Sequence, residues 1–285
     1  MTGALGALDE RQRKLLQSWV PGATVVRDHS WGLVGTTVLE VLHEGRRLLV
    51  KAGDAADHHL AREIAAHREW LEPWTRQGRA AALVAADTDA KLLLRDFLEG
   101  HPVQGSAQEW DVDVHHQAGR LLRDFHRQRS HTDEHYEARQ DAKALRWLEA
   151  PHGIDADSVT RLRAEITSWP AGPANVVPTH GDWQPRNWLV HCGEVRVIDL
   201  GRAELRPAHT DFVRLAAQQF RGHPEQETAF LDGYGSDPRD PADWRRTLVR
   251  EAIGTAVWAH QVGDRPFEEQ GLRMISDVLV RPGPP

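Results

Sequence analysis

The sequence predicts an α+β fold in which a small antiparallel β-sheet with one long helix precedes a larger helical region. Three observations predict it. Apolar, strand-like runs occur before residue 98, turn residues separate them, and helical periodicity dominates the rest of the chain. We therefore place a domain boundary there, between residues 1–97 and residues 98–285.

The first region contains five predicted strands and two predicted helices. A short amphipathic helix over Asp9–Val20 ends at Pro21-Gly22, and the turn Glu44-Gly45 joins two strands as a hairpin. The long helix is predicted over Asp57–Arg76, where apolar residues recur on one side. The five strands are Ala23–His29, Leu33–His43, Arg46–Ala52, Ala82–Ala86 and Leu92–Phe97.

The second region begins with three predicted helices and ends with three more. Apolar residues at helical spacing predict them, and segments rich in Gly and Pro separate the last three. The first three are Gln108–Arg129, Glu137–Ala150 and Asp155–Trp169. The last three occupy Glu225–Leu279, with breaks at Gly233–Gly235, Pro238–Pro241 and Gly263–Pro266.

Composition argues against several classes of function. The 285 residues carry a formal charge of -7 and no basic block, which argues against a nucleic-acid partner. The single thiol, Cys192, cannot form an internal disulfide, and neither an apolar signal segment nor a membrane-spanning run occurs. We expect a cytoplasmic monomer or homodimer. The acidic balance is compatible with cationic ligands, but carboxylates spread over the surface would give the same balance.

The segment His180-Gly181-Asp182-Trp183-Gln184-Pro185-Arg186-Asn187 places an Asp and an Asn five residues apart, where Gly and Pro prevent a continuous helix. Apolar runs at Val176-Val177 and Trp188–Val190 flank the segment and predict a short strand pair with this loop at its end. In kinases, such an Asp accepts the proton of the attacking hydroxyl and such an Asn binds Mg²⁺. Asp182 is the candidate proton acceptor, and Asn187 is a candidate metal ligand.

A second candidate metal ligand, Asp199, follows the alternating run Val195–Ile198 and precedes Leu200-Gly201. The pattern is a variant of the Asp-Phe-Gly element whose Asp binds Mg²⁺. Two oxygen ligands from two loops, completed by ATP phosphates and water, suit this cation. An isolated Asp and Asn at this spacing more often mark a solvated loop, and it is the combination of motifs that favours phosphoryl transfer.

Lys51 ends the apolar run Leu48–Val50 in a chain that otherwise favours Arg. The kinase lysine that contacts the α- and β-phosphates has the same context. The helix predicted after this strand would supply a carboxylate partner, with Glu63 as the first candidate and Glu69 as the competing one. Solvated charges at a strand end and on a helix would produce the same pattern.

Two glycines, Gly32 and Gly35, lie in the turn Ser30–Thr37 between the first two strands. Glycines in such a turn let backbone amides approach a phosphate. An ordinary hairpin uses the same residue types, so this motif is weak by itself.

Together these motifs resemble the aminoglycoside phosphotransferase family, the small-molecule branch of the protein-kinase-like fold. The resemblance extends over Trp31–Leu231 and is specific around Thr179–Leu215. It implies a two-lobed fold, with residues 1–97 as the nucleotide-binding lobe and residues 98–285 as the helical lobe that carries the catalytic and metal loops and the acceptor site. It also implies a hinge over Leu94–Gly100, whose backbone groups hydrogen-bond adenine. Its central residues are Asp96, Phe97 and Leu98.

The resemblance also bears on individual residues of the loops. It implies that His180 is a buried brace for the loop backbone rather than a phosphoacceptor. Trp183 and Trp188 depart from the family, which often has aliphatic residues there, and Leu200 stands where many kinases have Phe. These departures concern the substrate more than the fold.

The implied activity is transfer of a phosphoryl group from ATP, with Mg²⁺, to a hydroxyl of a small molecule. Resistance kinases of this family modify cationic antibiotics, either aminoglycosides or cyclic peptides of the viomycin and capreomycin type. The alternatives are a metabolic kinase for choline, homoserine or a sugar amine, and a non-catalytic nucleotide-binding module. A cationic acceptor would be attracted by carboxylates of the helical region, namely Asp133, Glu134, Glu137, Glu225, Glu227, Asp232 and Glu268.

Overall fold

A computed structural model of the chain describes residues 7–30 and 35–280. The chain divides into two compact units. The first contains Met1–Gln128, His180–Glu204 and Thr228–Gly235, and the second contains Arg129–Thr179, Leu205–Glu227 and Ser236–Pro285. The two loops with the Asp-Asn and Asp-Leu-Gly motifs therefore belong to the same unit as the N-terminal sheet. The division into a nucleotide-binding and a helical lobe at residue 97 stays a prediction.

The described residues form ten α-helices and eleven strands, with short 3₁₀ helices between some of them. The helices are α1 (Glu10–Trp19), α2 (Leu60–Glu69), α3 (Glu72–Thr75), α4 (Val112–His126), α5 (Tyr136–Trp147), α6 (Ala156–Ser168), α7 (Val213–Ala217), α8 (Pro224–Tyr234), α9 (Pro241–Val262) and α10 (Arg265–Val280). The strands are β1 (Thr24–Asp28), β2 (Thr36–His43), β3 (Arg46–Gly53), β4 (Leu83–Asp87), β5 (Leu92–Asp96), β6 (His101–Pro102), β7 (His131–Asp133), β8 (Ala174–Thr179), β9 (Trp188–His191), β10 (Glu194–Val197) and β11 (Glu204–Arg206).

The five N-terminal strands form one antiparallel sheet in the order β1-β2-β3-β5-β4, which confirms the five predicted strands. The hairpin between β2 and β3 turns at Glu44 and Gly45, whose φ angles are 48° and 78°. Positive φ at both central residues is typical of a type I′ turn, which matches the twist of the strands it joins. This local geometry fixes the register of β3.

Alternation along the strands gives this sheet two apolar faces. One face, which includes Leu39, Val50 and Leu94, packs with Leu16 and Val20 at and beyond the end of α1. On the other face Leu93 packs against Leu60 and Ile64 of α2. Lys51 is directly opposite Leu93 in the β3–β5 register, so its side chain is on the face that packs against α2. The register thereby directs this lysine toward the carboxylates of α2.

The single long helix predicted over Asp57–Arg76 is wrong, because the chain forms α2 and α3 with a break at Trp70-Leu71. Pro73 explains the break. Proline has no amide hydrogen to donate, and its ring would clash with the carbonyl of Glu69 four residues earlier in a continuous helix. At the second position of α3 the missing donor costs nothing, since the first turn of a helix has unpaired amides anyway.

The strand pair predicted between Val176-Val177 and Trp188–Val190 is also wrong. These runs form β8 and β9, which belong to different sheets, with strand orders β11-β8-β7 and β10-β9-β6. Strand β9 pairs instead with β10 across a two-residue turn, Cys192-Gly193, with φ angles of 50° and 78°. A short hairpin closes with little loss of chain entropy, which explains why this local partner is preferred.

The second unit has a helical core of its own, built from α5, α6, α9 and α10. A Cβ at Gly271 would lie 2.4 Å from the Ala256 amide nitrogen, so only glycine lets α10 approach α9 this closely. The six helices predicted after residue 98 are confirmed as α4, α5, α6, α8, α9 and α10, with ends shifted by a few residues. No helix in residues 7–30 and 35–280 is long and apolar enough to cross a membrane.

Candidate active site

Three charged side chains of the first unit form one chain of ion pairs. Lys51 Nζ on β3 donates to Glu63 Oε2 on α2 over 2.5 Å and to Asp199 Oδ1 over 2.9 Å. Glu63 is buried, and it is this carboxylate rather than Glu69 that pairs with the lysine. The pairing joins residues that are 148 positions apart in the chain. It brings the candidate phosphate-binding lysine to the candidate metal ligand.

The pKa values of Lys51 and Asp199 are strongly shifted. Burial by itself would lower the pKa of Lys51, but the carboxylates of Glu63 and Asp199 outweigh it and raise this pKa above its ordinary value. Burial would raise the pKa of Asp199, but the Lys51 ammonium reverses the effect and holds this pKa well below its usual range. Both groups are therefore charged over the whole physiological pH range.

The buried His180 connects the loop of Asp182 to the segment before Asp199. Its Nε2 is 3.1 Å from the Ile198 carbonyl oxygen, and its Nδ1 is 3.3 Å from the Asp182 amide nitrogen. A carbonyl only accepts and an amide N–H only donates, so the ring carries its proton on Nε2 and accepts at Nδ1. This is the hydrogen bonding expected of a brace. Gly181, with φ of 78°, supplies the backbone conformation between the two residues.

Asp182 is buried, and three donors from its own loop point at its carboxylate. Gln184 Nε2 donates to Oδ1 over 2.6 Å, while Arg186 Nη2 and Asn187 Nδ2 donate to Oδ2 over 2.6 Å and 3.0 Å. A 3₁₀ turn over Pro185–Asn187 brings the Arg186 and Asn187 donors back to the carboxylate, and Gln184 immediately precedes this turn. The arrangement fixes the side chain of Asp182 in one orientation and keeps it an acceptor.

Asn187 is oriented so that its amide oxygen remains available. Its Nδ2 donates to both the carbonyl oxygen and Oδ2 of Asp182, at 2.7 Å and 3.0 Å. The Oδ1 atom of Asn187 and the Oδ2 atom of Asp199 accept no hydrogen bond from the part of the chain that the structure describes. Amide and carboxylate oxygens are ligands that Mg²⁺ prefers, so the two residues fit this ion.

The hairpin of β9 and β10 brings these two candidate ligands together. Asn187 precedes β9, Asp199 follows β10, and the Ile198 amide donates to the Asn187 carbonyl over 3.0 Å at the open end. Asp199 has a φ of 63°, in the left-handed region that few non-glycine residues occupy. Such strained residues cluster at functional sites.

A buried aromatic cluster includes Trp183 of the loop that carries Asp182. The ring of Trp183 lies 5.7 Å from that of Trp74 and 5.5 Å from that of Trp188, and Trp74 stacks on Phe125 at 4.3 Å. Both Trp183 and Trp188 are fully buried. The two tryptophans that depart from the family pattern therefore belong to the core that holds the loop.

The predicted adenine-binding segment follows the end of β5. The Asp96 amide donates to the Ala82 carbonyl and the Phe97 amide donates to the Arg47 carbonyl, so both amides are already used in backbone hydrogen bonds. Leu98 makes no backbone hydrogen bond within the described residues, which leaves its N–H and C=O for a ligand. The roles of Asp96, Phe97 and Leu98 in adenine binding stay predictions.

Of the two glycines predicted to cover phosphates, the structure describes one. Gly32 lies outside the described residues. Gly35 begins the approach to β2, and a Cβ there would lie 1.7 Å from Asp54 Oδ2. The Asp54 amide also donates to the Gly35 carbonyl over 3.0 Å. This close contact accounts for a glycine at position 35, and a role in phosphate binding stays a prediction for both glycines.

The carboxylates expected to attract a cationic acceptor are largely engaged within their own unit. Asp133 pairs with Arg139 at 2.5 Å, Glu137 with Arg250 at 2.6 Å and Glu227 with Arg239 at 2.6 Å. Glu225 and Glu268 contact His223 and His260. Attraction of a cationic acceptor by these seven carboxylates stays a prediction. Three of the seven carboxylates are neutralised by arginine, and the field they project is weaker than the sequence indicates.

Gln184 and Arg186 are two further residues of the site that the sequence motifs did not indicate. The Arg186 donor reaches Asp182 because the chain turns at Pro185, and spacing alone does not reveal such a turn. Gln184 precedes this turn and lies two residues after Asp182 in extended backbone. The available signal was local. Proline favours the first position of a helical turn, and residues three or four apart meet across such a turn.

Comparison with known proteins decides the family. Residues 25–248 match the model of the phosphotransferase enzyme family, APH. The chain belongs to this family. It is a phosphotransferase, an enzyme that transfers a phosphoryl group to a hydroxyl group, as the sequence resemblance implied. A search of curated proteins gives no match.

Solved structures of similar phosphotransferases share the fold. A thermostable mutant of aminoglycoside phosphotransferase APH(4)-Ia, in a ternary complex with AMP-PNP and hygromycin B, has a TM-score of 0.69 at 12% identity. The similarity covers 94% of this chain and 97% of the APH(4)-Ia chain. Choline kinase LicA from Streptococcus pneumoniae has a TM-score of 0.64 at 12% identity, covering 95% and 99%. Macrolide 2'-phosphotransferase type I has a TM-score of 0.60 at 15% identity, covering 94% and 98%. These similarities confirm the α+β class and the protein-kinase-like fold.

Proposed function

We propose that this phosphotransferase moves the γ-phosphoryl group of ATP to a hydroxyl of a small molecule, most directly a cationic antibiotic. The observation that carries the proposal is the ion-pair chain of Glu63, Lys51 and Asp199, next to a hairpin whose open end presents Asn187. A lysine, an amide oxygen and carboxylates in one place are the groups needed to bind and transfer a phosphoryl group. Nucleotide use is further supported by AMP-PNP in the neighbouring APH(4)-Ia complex.

Each residue has a defined task in this proposal. Asp182 orients the acceptor hydroxyl and takes its proton, and the donors around its carboxylate hold it in place. Lys51, positioned by Glu63, donates to the α- and β-phosphates. Asn187 and Asp199 would hold Mg²⁺, which when bound neutralises charge on the phosphates. Leu98 offers its free backbone groups to adenine, and Gly32 and Gly35 approach the phosphates.

The cationic antibiotic is proposed from the acidic balance of the chain and from hygromycin B in the neighbouring complex. The arginine pairs of Asp133, Glu137 and Glu227 limit long-range attraction. Recognition of such an acceptor would then depend on short hydrogen bonds rather than on the summed field of the unit.

The test is a phosphorylation screen of aminoglycosides and viomycin-type peptides with Mg²⁺ and ATP, read by mass spectrometry. A mass increase of one phosphate is expected for at least one compound. The variant Asp182→Asn should lose turnover by a factor of about 10² to 10⁴, because general base catalysis contributes about this much. Asp89→Asn, at an exposed turn, removes the same charge and is the control. Unchanged turnover in Asp182→Asn would remove this residue from the mechanism.

A second candidate is a metabolic kinase for a hydroxyl compound with one cationic centre, of the choline type. The neutralised carboxylates favour it, since a single positive charge needs fewer free acidic partners than a polycation. Choline, homoserine and sugar amines belong in the same screen. Phosphorylation of one of these, with no antibiotic modified, would replace the first candidate by the second.

A further inference from the structure

Arg186 lies on the carboxylate that is proposed to accept the hydroxyl proton. Its Nη2 donates to Asp182 Oδ2 over 2.6 Å. Only 4% of the Asp182 side chain is exposed, whereas 41% of the Arg186 side chain is. The guanidinium therefore extends from a buried carboxylate to the accessible surface of the loop, where a substrate can meet it.

The ion pair does not by itself explain why a cation is needed there. Asp182 already accepts hydrogen bonds from Gln184 Nε2 and from Asn187 Nδ2, which are neutral donors. A neighbouring positive charge also weakens a carboxylate as a proton acceptor. In phosphoryl transfer this weakening can be offset, because the transition state is loose and depends strongly on charge stabilisation, which a cation beside the phosphoryl group supplies.

Most donors of Arg186 remain available. Its Nε and Nη1 make no hydrogen bond with the described residues, and Nη2 makes the one to Asp182. The 3₁₀ turn over Pro185–Asn187 fixes the backbone, with the Asn187 amide donating to the Gln184 carbonyl over 2.9 Å. A planar guanidinium can donate to two anions at once in a fixed geometry.

The phosphoryl-transfer step defines which substrate atoms would lie within reach of Arg186. The acceptor oxygen forms a bond to the γ-phosphorus while the bond from this phosphorus to the β–γ bridging oxygen breaks, and its electron pair leaves with ADP. The hydroxyl proton passes to Asp182. The equatorial phosphoryl oxygens are two bonds away from the oxygen that contacts Asp182, and the Arg186 guanidinium is one hydrogen bond away from the same carboxylate.

We propose that Arg186 is a catalytic residue that donates from Nη1 or Nε to an equatorial oxygen of the transferring phosphoryl group while Nη2 stays on Asp182. The inference rests on the proposed function. Arginines that stabilise this charge in other phosphoryl-transfer enzymes accelerate the step by about 10³ to 10⁵. Arg186 would do so from within the catalytic loop.

The test compares a transition-state mimic with a ground-state analogue and needs no acceptor. Binding of Mg²⁺·ADP with aluminium fluoride and of Mg²⁺·AMP-PNP is measured by calorimetry for the wild type, Arg186→Lys and Arg186→Ala. Arg186→Ala should weaken the fluoride complex by about 10²-fold or more, as losses of charge-stabilising donors do, and AMP-PNP by less than about threefold. Arg186→Lys should fall between wild type and Arg186→Ala.

Arg76→Ala is the matched control, since Arg76 also pairs with a carboxylate four residues away, Glu72, but on α3. Thermal melting checks folding, and Arg186→Gln replaces Arg186→Ala if the latter melts below the assay temperature. Equal loss of both ligands, or no loss of the fluoride complex, overturns the role of Arg186 while the proposed function stands. A wild type that binds neither ligand overturns both.

Discussion

Lys51 Nζ lies 2.5 Å from Glu63 Oε2, and this pair connects strand β3 to helix α2 on one face of the sheet. The lysine side chain is mostly buried and the carboxylate is buried. Removing one partner would leave the other charge buried with less compensation, which is costly. Substitution of either residue is therefore a sensitive test of how the Lys51 side chain is positioned.

Glu63→Gln should lower kcat/KM for ATP by about 10- to 100-fold, because Lys51 would then be held by Asp199 alone and lose its position toward the phosphates. Steady-state kinetics with a fixed acceptor measures this. Glu69→Gln, on the exposed surface of the same helix, is the control and should change kcat/KM by less than twofold, about the scatter expected of surface changes. Equal effects of the two substitutions would contradict the assigned partner.

Asp199→Asn should remove the part of nucleotide affinity that depends on Mg²⁺. The substitution would delete a charged ligand from the site that would hold Mg²⁺. Calorimetry with AMP-PNP, with and without Mg²⁺, measures the difference. Asp89→Asn controls for the loss of one negative charge. An Mg²⁺ effect as large as in the wild type would exclude Asp199 as a ligand.

Trp183 offers a test of the aromatic support. Its ring is fully buried and its Nε1 has no hydrogen-bond partner among residues 7–30 and 35–280. Trp183→Phe keeps a ring and removes this unpaired donor, so it should cost less than about 1.5 kcal/mol of unfolding free energy, whereas Trp183→Ala should cost about 3–5 kcal/mol. Urea denaturation measures both.

Trp74→Phe is the matched comparison for Trp183→Phe. Trp74 is also fully buried, but its Nε1 donates to the Leu121 carbonyl over 2.9 Å. This substitution removes that hydrogen bond, while the carbonyl still accepts within α4, so it should cost about 0.5–1.5 kcal/mol more than Trp183→Phe. Equal costs at the two positions would contradict the hydrogen-bond assignment.

Stability should fall with acidification through His209. Burial lowers the pKa of this histidine to about 4, compared with about 6.5 in an unfolded chain. Between these values the unfolded state binds more protons, so stability is present above about pH 6.5 and is lost as pH falls toward 4, by about 1.4 kcal/mol per pH unit at most. Urea unfolding at pH 7 and pH 5 should show a smaller pH difference for His209→Gln. His116→Gln, at an exposed position, should behave as the wild type.

The kcat/KM of a cationic acceptor should depend only moderately on salt. The arginine pairs of Asp133, Glu137 and Glu227 reduce the field that would steer it. Raising the ionic strength from 0.01 M to 0.15 M shortens the Debye length from about 30 Å to about 8 Å and should lower kcat/KM by less than about tenfold. A steeper fall would mean that other carboxylates, such as Glu134 and Asp232, attract the acceptor.

Local signals made the N-terminal sheet predictable. The two-residue turn Glu44-Gly45 and the alternation of β2 and β3 are determined by neighbours in the sequence, and the structure places both strands within a few residues of the expected ends. The break at Pro73 also had a local signal, which the long apolar periodicity of Asp57–Arg76 obscured. The partners of β8 and β9 depend on competition between distant segments, and strand patterns do not rank such partners.

The candidate site was predictable where residue type and chemistry coincide. Lys51, Asp182 and Asn187 attract attention because phosphate, a hydroxyl proton and Mg²⁺ each require a particular group. Arg186 and Gln184 have no such signature. The Arg186 contact with Asp182 follows from the turn at Pro185, and the Gln184 contact joins residues only two apart before that turn. The functional roles of these residues await the experiments above.

The β9–β10 hairpin also provides an experimental handle. Its turn carries Cys192, which is exposed and is the single cysteine of the chain, while its open end carries Asn187 and Asp199. Four residues lie between Cys192 and Asn187, so their Cα atoms are about 17 Å apart at the rise of an antiparallel strand. A fluorophore or spin label attached to the native protein through this thiol would therefore report, without a cysteine-free background, on ordering of the loops when nucleotide enters.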